Sequence, residues 1–188
     1  MTHKEALNRL KEGNSRYAAG TPWQSSVSNE LRTVLFSKGQ SPYAAIVGCS
    51  DSRVPMELIF DAGPGELFVV RTAGNVVGNL ELGSLEFAVD GLKTPLIVVV
   101  GHQQCGAVKA AIEGGTFSPC LQAVIQEICA CSSDICGCDP GLIEDKNIRH
   151  TLAKIAADPL ISKAVSQGTV CLAAAKYSLE TGIVSFFS

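Results

Sequence analysis

Short, continuous apolar runs mark the strands of this sequence. They are rich in valine and isoleucine and occupy residues 44–47, 67–70 and 96–100. Runs that are apolar at every position and separated by helical segments are typical of parallel strands buried on both faces by crossover helices. Two further runs, 170–175 and 183–187, flank a turn near the end of the chain. The pattern predicts an α/β fold.

Between these runs the apolar residues recur at helical spacing. This periodicity predicts helices over 4–17, 28–37, 81–92, 105–113, 147–157 and 160–166. The first two helices form an amino-terminal arm, residues 1–40, that precedes the core and is only half apolar. The arm packs either on a neighbouring subunit or on the surface of its own chain. No internal repeat or long linker divides the sequence, so we expect one domain over residues 1–188.

Composition and charge narrow the class of protein. The chain has 188 residues and a formal net charge of −3, which provides no basic field for nucleic acid. No stretch reaches the roughly 18 apolar residues of a membrane span. The amino terminus is charged and lacks the apolar region of a secretory signal, so we expect a cytoplasmic protein, with a processed organellar form left open.

Chemically reactive side chains follow two of the predicted strands directly. Cys49, Asp51 and Arg53 come after the first strand, and His102 and Cys105 come after the third. Ligands of open α/β sheets lie beyond the carboxyl ends of the strands, where these two groups would meet if the strands are neighbours.

Two cysteines and one histidine suit a soft divalent metal such as Zn²⁺, and three protein ligands leave the fourth tetrahedral position free, as in catalytic sites. Each residue alone has a simpler explanation. Cys49 would be a small core residue, His102 a hydrogen-bonded structural histidine, and Asp51 with Arg53 an ordinary ion pair. Their coincidence at two converging strand ends favours the metal site.

Three segments resemble the β-class carbonic anhydrases. They are CSDSRVP at 49–55, LFVVRTAGN at 67–75 and GHQQCGAV at 101–108. The resemblance extends over nearly the whole chain. It implies a sheet of four parallel strands extended by an edge strand, flanked by helices. It also implies a homodimer or larger homo-oligomer, with active sites at the subunit interface and the arm wrapped around a partner.

The same resemblance implies a function and its residues. Zinc would be held by Cys49, His102 and Cys105, with the fourth position taken by water or, at rest, by Asp51. Arg53 would draw the Asp51 carboxylate off the metal. The implied reaction is the reversible hydration of carbon dioxide to bicarbonate and a proton. The alternatives are hydrolysis of carbon disulfide or carbonyl sulfide at the same zinc site, and a zinc-containing assembly subunit that has lost turnover.

The segment after the second strand is a candidate for substrate binding. Ala73, Gly74 and Asn75 could present backbone N–H groups to a substrate oxygen, or could form a turn that merely needs glycine. Arg71, just before them, is either an interface charge or a scaffold charge.

One departure from the resembled family concerns the pocket. Family members place a glutamine about five residues before the arginine that corresponds to Arg32. Here that position is Val27, and the nearest glutamine is Gln24. Either this loop is shifted by three residues or one pocket hydrogen bond is missing, which would affect the catalytic rate and not zinc binding.

Five other cysteines form a dense group that the resemblance does not explain: Cys120, Cys129, Cys131, Cys136 and Cys138. They could be free thiols in a variable loop, a redox pair or a second metal site.

Overall fold

One five-stranded sheet organises the computed structural model, which describes residues 1–21 and 28–187. The strand bounds are β1 Ala44–Cys49, β2 Leu67–Thr72, β3 Leu96–His102, β4 Cys171–Tyr177 and β5 Val184–Phe187. The strand order is β2-β1-β3-β4-β5, and β5 alone of these strands pairs antiparallel with its neighbour. The expected sheet of four parallel strands plus an edge strand is confirmed.

Eight α-helices surround the sheet in the described residues. They are α1 His3–Ala18, α2 Asn29–Lys38, α3 Met56–Ile59, α4 Asn79–Glu86, α5 Gly106–Glu113, α6 Pro119–Cys129, α7 Pro140–Ala156 and α8 Pro159–Ser166. No helix within residues 1–21 and 28–187 has the length and apolar content needed to cross a membrane.

The structure differs from the predicted helices in three places. The helix predicted over 81–92 ends as an α-helix at Glu86 and continues as a π-turn over Phe87–Gly91. Helices α3 and α6 were not predicted. Helix α7 begins seven residues before the predicted start, because Asp139 caps it by accepting the N–H of Leu142 and a proline occupies its first turn.

The central strands β1 and β3 are buried along their whole length, and their side chains alternate between two apolar layers. Ile46 and Val98 belong to one layer, which helices α1 and α5 help to complete. Val47 and Val99 belong to the other, which helices α4 and α8 cover. Helix α7 contributes to both layers, with Ile143 in the first and Ile148 in the second.

The two helices of the amino-terminal arm behave differently. Helix α1 buries Ala6 and Leu10 completely in its own chain, and its Asn14 bonds to the backbone of Ile59, Gly182 and Val184. Helix α2 buries no residue. The single chain therefore anchors α1 and leaves α2 on its surface.

Candidate metal centre

The ends of β1 and β3 bring three ligand atoms together. The strands pair in parallel from Ala45 with Ile97 to Gly48 with Val100, so the loops that follow leave the sheet side by side. Cys49 and His102 are the last residues of the two strands, and Cys105 precedes helix α5. The Cys49 and Cys105 sulfurs and a His102 ring nitrogen lie within 4.8 Å of one another, and all three residues are buried.

The chemistry of this set fits zinc. The Nδ1 atom of His102 lies 2.8 Å from the Gln103 carbonyl oxygen, to which it donates, so in the neutral ring the lone pair is on Nε2. Nε2 is buried and has no hydrogen-bond partner among the described residues. The two sulfurs are 4.0 Å apart, close to the separation of about 3.8 Å for two thiolates on one tetrahedral zinc. Within the described residues, this is the one group of three or more ligand-type side chains that meets these distances.

Without a metal, the three groups share protons. The hydrogen bond from the Cys105 thiol lowers the pKa of Cys49 to about 4, and the same bond, together with burial, raises the pKa of Cys105 well above its usual range. Burial opposes a charge on His102, but the neighbouring Cys49 sulfur raises the pKa of its ring overall. A divalent cation bound to all three groups would replace these protons.

Asp51 stands beside this set, held by Arg53. The Arg53 guanidinium donates to both carboxylate oxygens, with Nε 3.0 Å from Oδ1 and Nη2 2.7 Å from Oδ2. The Arg53 backbone N–H also donates to Oδ1. These contacts lower the pKa of Asp51 to about 2. Its Oδ2 lies 4.0 Å from Nε2 of His102. Arg53 also donates to the Gln104 carbonyl, so it ties the loop after β1 to the loop after β3.

Arg71 supports the same loop from the neighbouring strand β2, a role that the sequence left undecided. Its Nε donates to the Cys49 carbonyl oxygen at 2.9 Å, and its Nη2 donates to the Asp51 carbonyl oxygen at 2.7 Å. Because β2 pairs with β1 in parallel, with Gly48 opposite Arg71, the guanidinium reaches the backbone just past the end of β1. In the described structure, Arg71 therefore acts as a scaffold charge.

The segment Ala73–Asn75 forms a 3₁₀ turn after β2. The Gly74 N–H donates to the Cys49 sulfur at 3.4 Å, so this donor already has a partner at the metal centre. Asn75 has a φ of 49°, is 2 % exposed, and its side-chain nitrogen has no partner among the described residues. Substrate contact by Ala73, Gly74 and Asn75 stays a prediction.

Sequence reasoning missed two buried polar residues of helix α7 that reach the centre. Glu144 accepts the backbone N–H of Cys105 at 3.3 Å, and Asn147 donates to the Gly74 carbonyl oxygen at 2.7 Å. They are 4 % and 1 % exposed. A buried Glu and a buried Asn three residues apart in a helix would have been the signal, but the predicted helix began at residue 147.

The other cysteines are not part of this group of ligand-type side chains, and all are free thiols. Cys120 and Cys129 belong to helix α6, so the alternative of free thiols in a variable loop does not describe the position of these two. Cys129, Cys131 and Cys138 pack against the core, whereas Cys136 is exposed. Burial raises the pKa of the Cys131 thiol.

Gln24 and Val27, on which the question of the pocket glutamine rests, lie outside the described residues. Arg32 is exposed on helix α2 and bonds to Asn29.

Comparison with known proteins points to one family. The family model described as "Carbonic anhydrase" matches residues 44–184. A carbonic anhydrase of Mycolicibacterium smegmatis is 39% identical over 193 residues, covering 97% of this chain and 92% of that protein. Carbonic anhydrase 2 of Mycobacterium tuberculosis is 41% identical over 187 residues, covering 94% and 89%. The solved structure of a Coccomyxa β-carbonic anhydrase superposes with a TM-score of 0.74 at 27% identity, covering 96% and 86%.

Proposed function

This chain belongs to the β-class carbonic anhydrases, and from that premise we propose how its residues carry out the reversible hydration of carbon dioxide to bicarbonate and a proton. The enzyme is a zinc-dependent lyase. The observation that carries the proposal is the convergence of Cys49, His102 and Cys105 with the Asp51–Arg53 pair at one edge of the sheet.

Zinc would be held by the thiolates of Cys49 and Cys105 and by Nε2 of His102. Bound zinc supplies a Lewis acid that lowers the pKa of coordinated water and so provides a nucleophile at neutral pH. The residues of the chain fix the geometry: Gln103 orients the imidazole, and the backbone N–H groups of Asp51 and Gly74 donate to the Cys49 sulfur at 3.4 Å each. Donors of this kind hold the thiolate in place.

Asp51 acts as a hydrogen-bond acceptor that orients the attacking water oxygen. A carboxylate with a pKa of about 2 stays ionised at neutral pH and can only accept. Arg53 occupies both carboxylate oxygens with a fork of parallel bonds, which fixes the carboxylate plane and restrains Asp51 from ligating the metal. An oriented oxygen lone pair then faces the carbon of carbon dioxide.

Replacing the carboxylate by an amide tests this role. Asp51→Asn should lower kcat for carbon dioxide hydration by about 100-fold, because a misplacement of the attacking atom by about 1 Å costs a factor of that size. Zinc content should stay near that of the unsubstituted protein. Stopped-flow hydration and metal analysis on the same samples measure both quantities.

Asp90→Asn is the matched control, since Asp90 is an exposed carboxylate in an ion pair with Lys93, on the π-turn that follows helix α4. It should keep full activity. Full activity in Asp51→Asn would overturn the role of Asp51. Failure of the zinc-loaded unsubstituted protein to hydrate carbon dioxide would overturn the proposed function.

We also propose that the functional unit is a homo-oligomer in which helix α2 contacts a partner subunit. Phe36 on α2 is 93% exposed and Val34 is 45% exposed in the single chain. Among the described residues, strand β2 is at one edge of the sheet, and Leu35 of α2 lies beside Gly65, two residues before β2. Exposed apolar surface next to an unpaired strand edge is typical of a protein interface.

Phe36→Asp should shift the protein to a smaller assembly in analytical ultracentrifugation. Ser37→Asp adds the same charge at the next position without removing apolar surface, so it should leave the assembly unchanged. Identical sedimentation of both variants and the unsubstituted protein would exclude α2 from the interface.

A cytoplasmic location completes the proposal. Both thiol ligands must stay reduced to bind a metal, which suits a reducing compartment. Cell fractionation followed by detection of the protein in the cytosolic fraction tests it, and recovery elsewhere would contradict it.

A further inference from the structure

Helix α7 presents two buried polar side chains to the loops that carry the two thiol ligands. Glu144 and Asn147 lie three residues apart and therefore on the same face of the helix. Helix α7 itself supplies none of the three candidate metal ligands. Any influence it has on the metal passes through backbone groups.

Glu144 connects the half-buried Lys176 to Cys105. Its Oε1 accepts the Cys105 N–H at 3.3 Å, while its Oε2 lies 2.8 Å from Nζ of Lys176 on strand β4. Lys176 also contacts Asp145 at 2.8 Å and the Gly141 carbonyl oxygen at 3.0 Å. Both oxygens of Glu144 are therefore in use, one for the lysine and one for the ligand residue.

Asn147 reaches Cys49 through one peptide segment. Its Nδ2 donates to the Gly74 carbonyl oxygen, and the Gly74 N–H donates to the Cys49 sulfur. Gly74 has a φ of 68°, so its backbone is held in the left-handed region while it makes both contacts. The amide of Asn147 thus restrains the donor that faces the thiolate.

We propose that Glu144 and Asn147 are positioning residues that hold Cys105 and Cys49 in the arrangement zinc requires, so that one face of helix α7 sets the metal affinity. The inference rests on the zinc site of the proposed function. Stability alone does not account for the ion pair of Glu144 with Lys176, because an ion pair largely removed from solvent is often no more stabilising than apolar residues of similar volume. Groups that orient metal ligands typically change metal affinity by about 10- to 100-fold when replaced.

The chain offers a matched pair of substitutions at Lys176. Glu144→Gln and Asp145→Asn each remove one negative charge beside the same lysine, but Glu144 contacts Cys105 and no contact to a ligand residue is seen for Asp145 among the described residues. A carboxylate accepts at both oxygens, whereas an amide accepts at one, so Glu144→Gln must give up either the lysine or the Cys105 N–H.

Competition for Zn²⁺ with a chromophoric chelator measures the effect on the full-length protein. Glu144→Gln should weaken zinc affinity by about 10- to 100-fold relative to the unsubstituted protein, and Asp145→Asn should change it by less than about threefold. The difference in melting temperature between the zinc-loaded and metal-free forms should shrink in Glu144→Gln. A merely structural role would lower both melting temperatures together and leave that difference unchanged.

Asn147→Leu provides a second test if Glu144→Gln does not fold. Leucine has a similar shape, and it removes both the donor to Gly74 and an oxygen that has no partner among the described residues. It should also weaken zinc binding, and should alter the thiolate-to-metal absorption bands of the cobalt-substituted protein. If Glu144→Gln and Asn147→Leu bind zinc as tightly as Asp145→Asn and the unsubstituted protein, the inference is overturned and the proposed function is left intact. Absence of zinc binding in the unsubstituted protein would instead overturn the zinc site.

Discussion

At the scale of single residues, Gly74 shows how tightly the metal centre is built. Its φ of 68° disfavours any residue with a side chain, and an added Cβ would lie 2.8 Å from Cδ1 of Ile128 and 3.3 Å from Cβ of Ala107. Its N–H and carbonyl groups are both used, by Cys49 and Asn147. The turn after β2 therefore needs glycine for its conformation and for space.

We expect Gly74→Ala to lower the free energy of unfolding by about 1–3 kcal/mol, because the conformation is strained for alanine and the added methyl group meets Ile128. Urea denaturation of the metal-free protein measures this. Ile128→Val removes the nearest methyl group, so the double variant should recover the steric part of the loss and keep the conformational part. Strict additivity of the two substitutions would rule out the contact with Ile128 as a cause.

The candidate metal ligands could be predicted from the sequence because they lie at the ends of strands. Cys49 and His102 end buried apolar runs, and Cys105 follows within the same loop, so the sheet topology alone brings them together. Arg71 and Asn147 act through backbone carbonyl groups that no side-chain motif marks. Their partners depend on how loops close in three dimensions, which local periodicity does not specify.

At the scale of elements, the docking of helix α1 depends on one close approach. An added Cβ on Gly13 would overlap the Phe60 carbonyl oxygen, so the backbone of α1 contacts the backbone at the end of α3 directly. Beside it, Asn14 uses its amide for three backbone partners. The helix periodicity of α1 was readable from sequence, and the predicted span of 4–17 lies within the observed helix. The packing contacts of Gly13 and Asn14 could not be predicted from the sequence.

Gly13→Ala should destabilise the protein by about 1–3 kcal/mol or more, because the carbonyl oxygen can move aside only with the backbone of α3. Gly83→Ala is the matched control within helix α4, where an added Cβ meets nothing within 4 Å. It should stabilise the protein by about 0.5–1 kcal/mol, since alanine favours the helix. Equal effects of the two substitutions in urea denaturation would contradict close packing at Gly13.

Helices α6 and α7 show why element boundaries were missed. Each has a proline in its first turn, a position that favours helix initiation. Helix α6 follows the segment GGTFS at 114–118 and helix α7 follows CGCD at 136–139, and both segments resemble loops. The late start predicted for α7 excluded Glu144 from the helix. The error therefore hid one of the two residues that α7 directs toward the metal centre.

At the scale of the whole molecule, Tyr43 connects the arm to the start of the sheet. It is 5 % exposed, and the Arg9 guanidinium of α1 lies 4.4 Å from its ring centre. Burial raises the pKa of Tyr43 from 10.0 to about 12. Between these two values the folded state keeps a proton that the unfolded state has lost.

The stability of the protein should therefore fall as pH rises from 10 to 12, because ionisation of Tyr43 stabilises only the unfolded chain in that interval. Tyr43→Phe should remove this part of the loss and flatten the alkaline side of the stability profile, while changing little of the pH dependence below pH 10. Urea denaturation at a series of pH values compares the two proteins. Parallel profiles above pH 10 would show that the Tyr43 hydroxyl does not contribute.

The separation of the two thiol ligands along the chain has a further consequence. Cys49 and Cys105 are 56 residues apart, so a metal bound to both closes a long loop that holds strands β2 and β3. Like any cross-link, it reduces the conformational entropy of the unfolded chain, provided the metal stays bound there, and the reduction grows slowly with loop length. Zinc bound to both thiols would thus stabilise the folded chain as a cross-link, in addition to its proposed role in the reaction. During synthesis, this cross-link cannot form until residue 105 has left the ribosome.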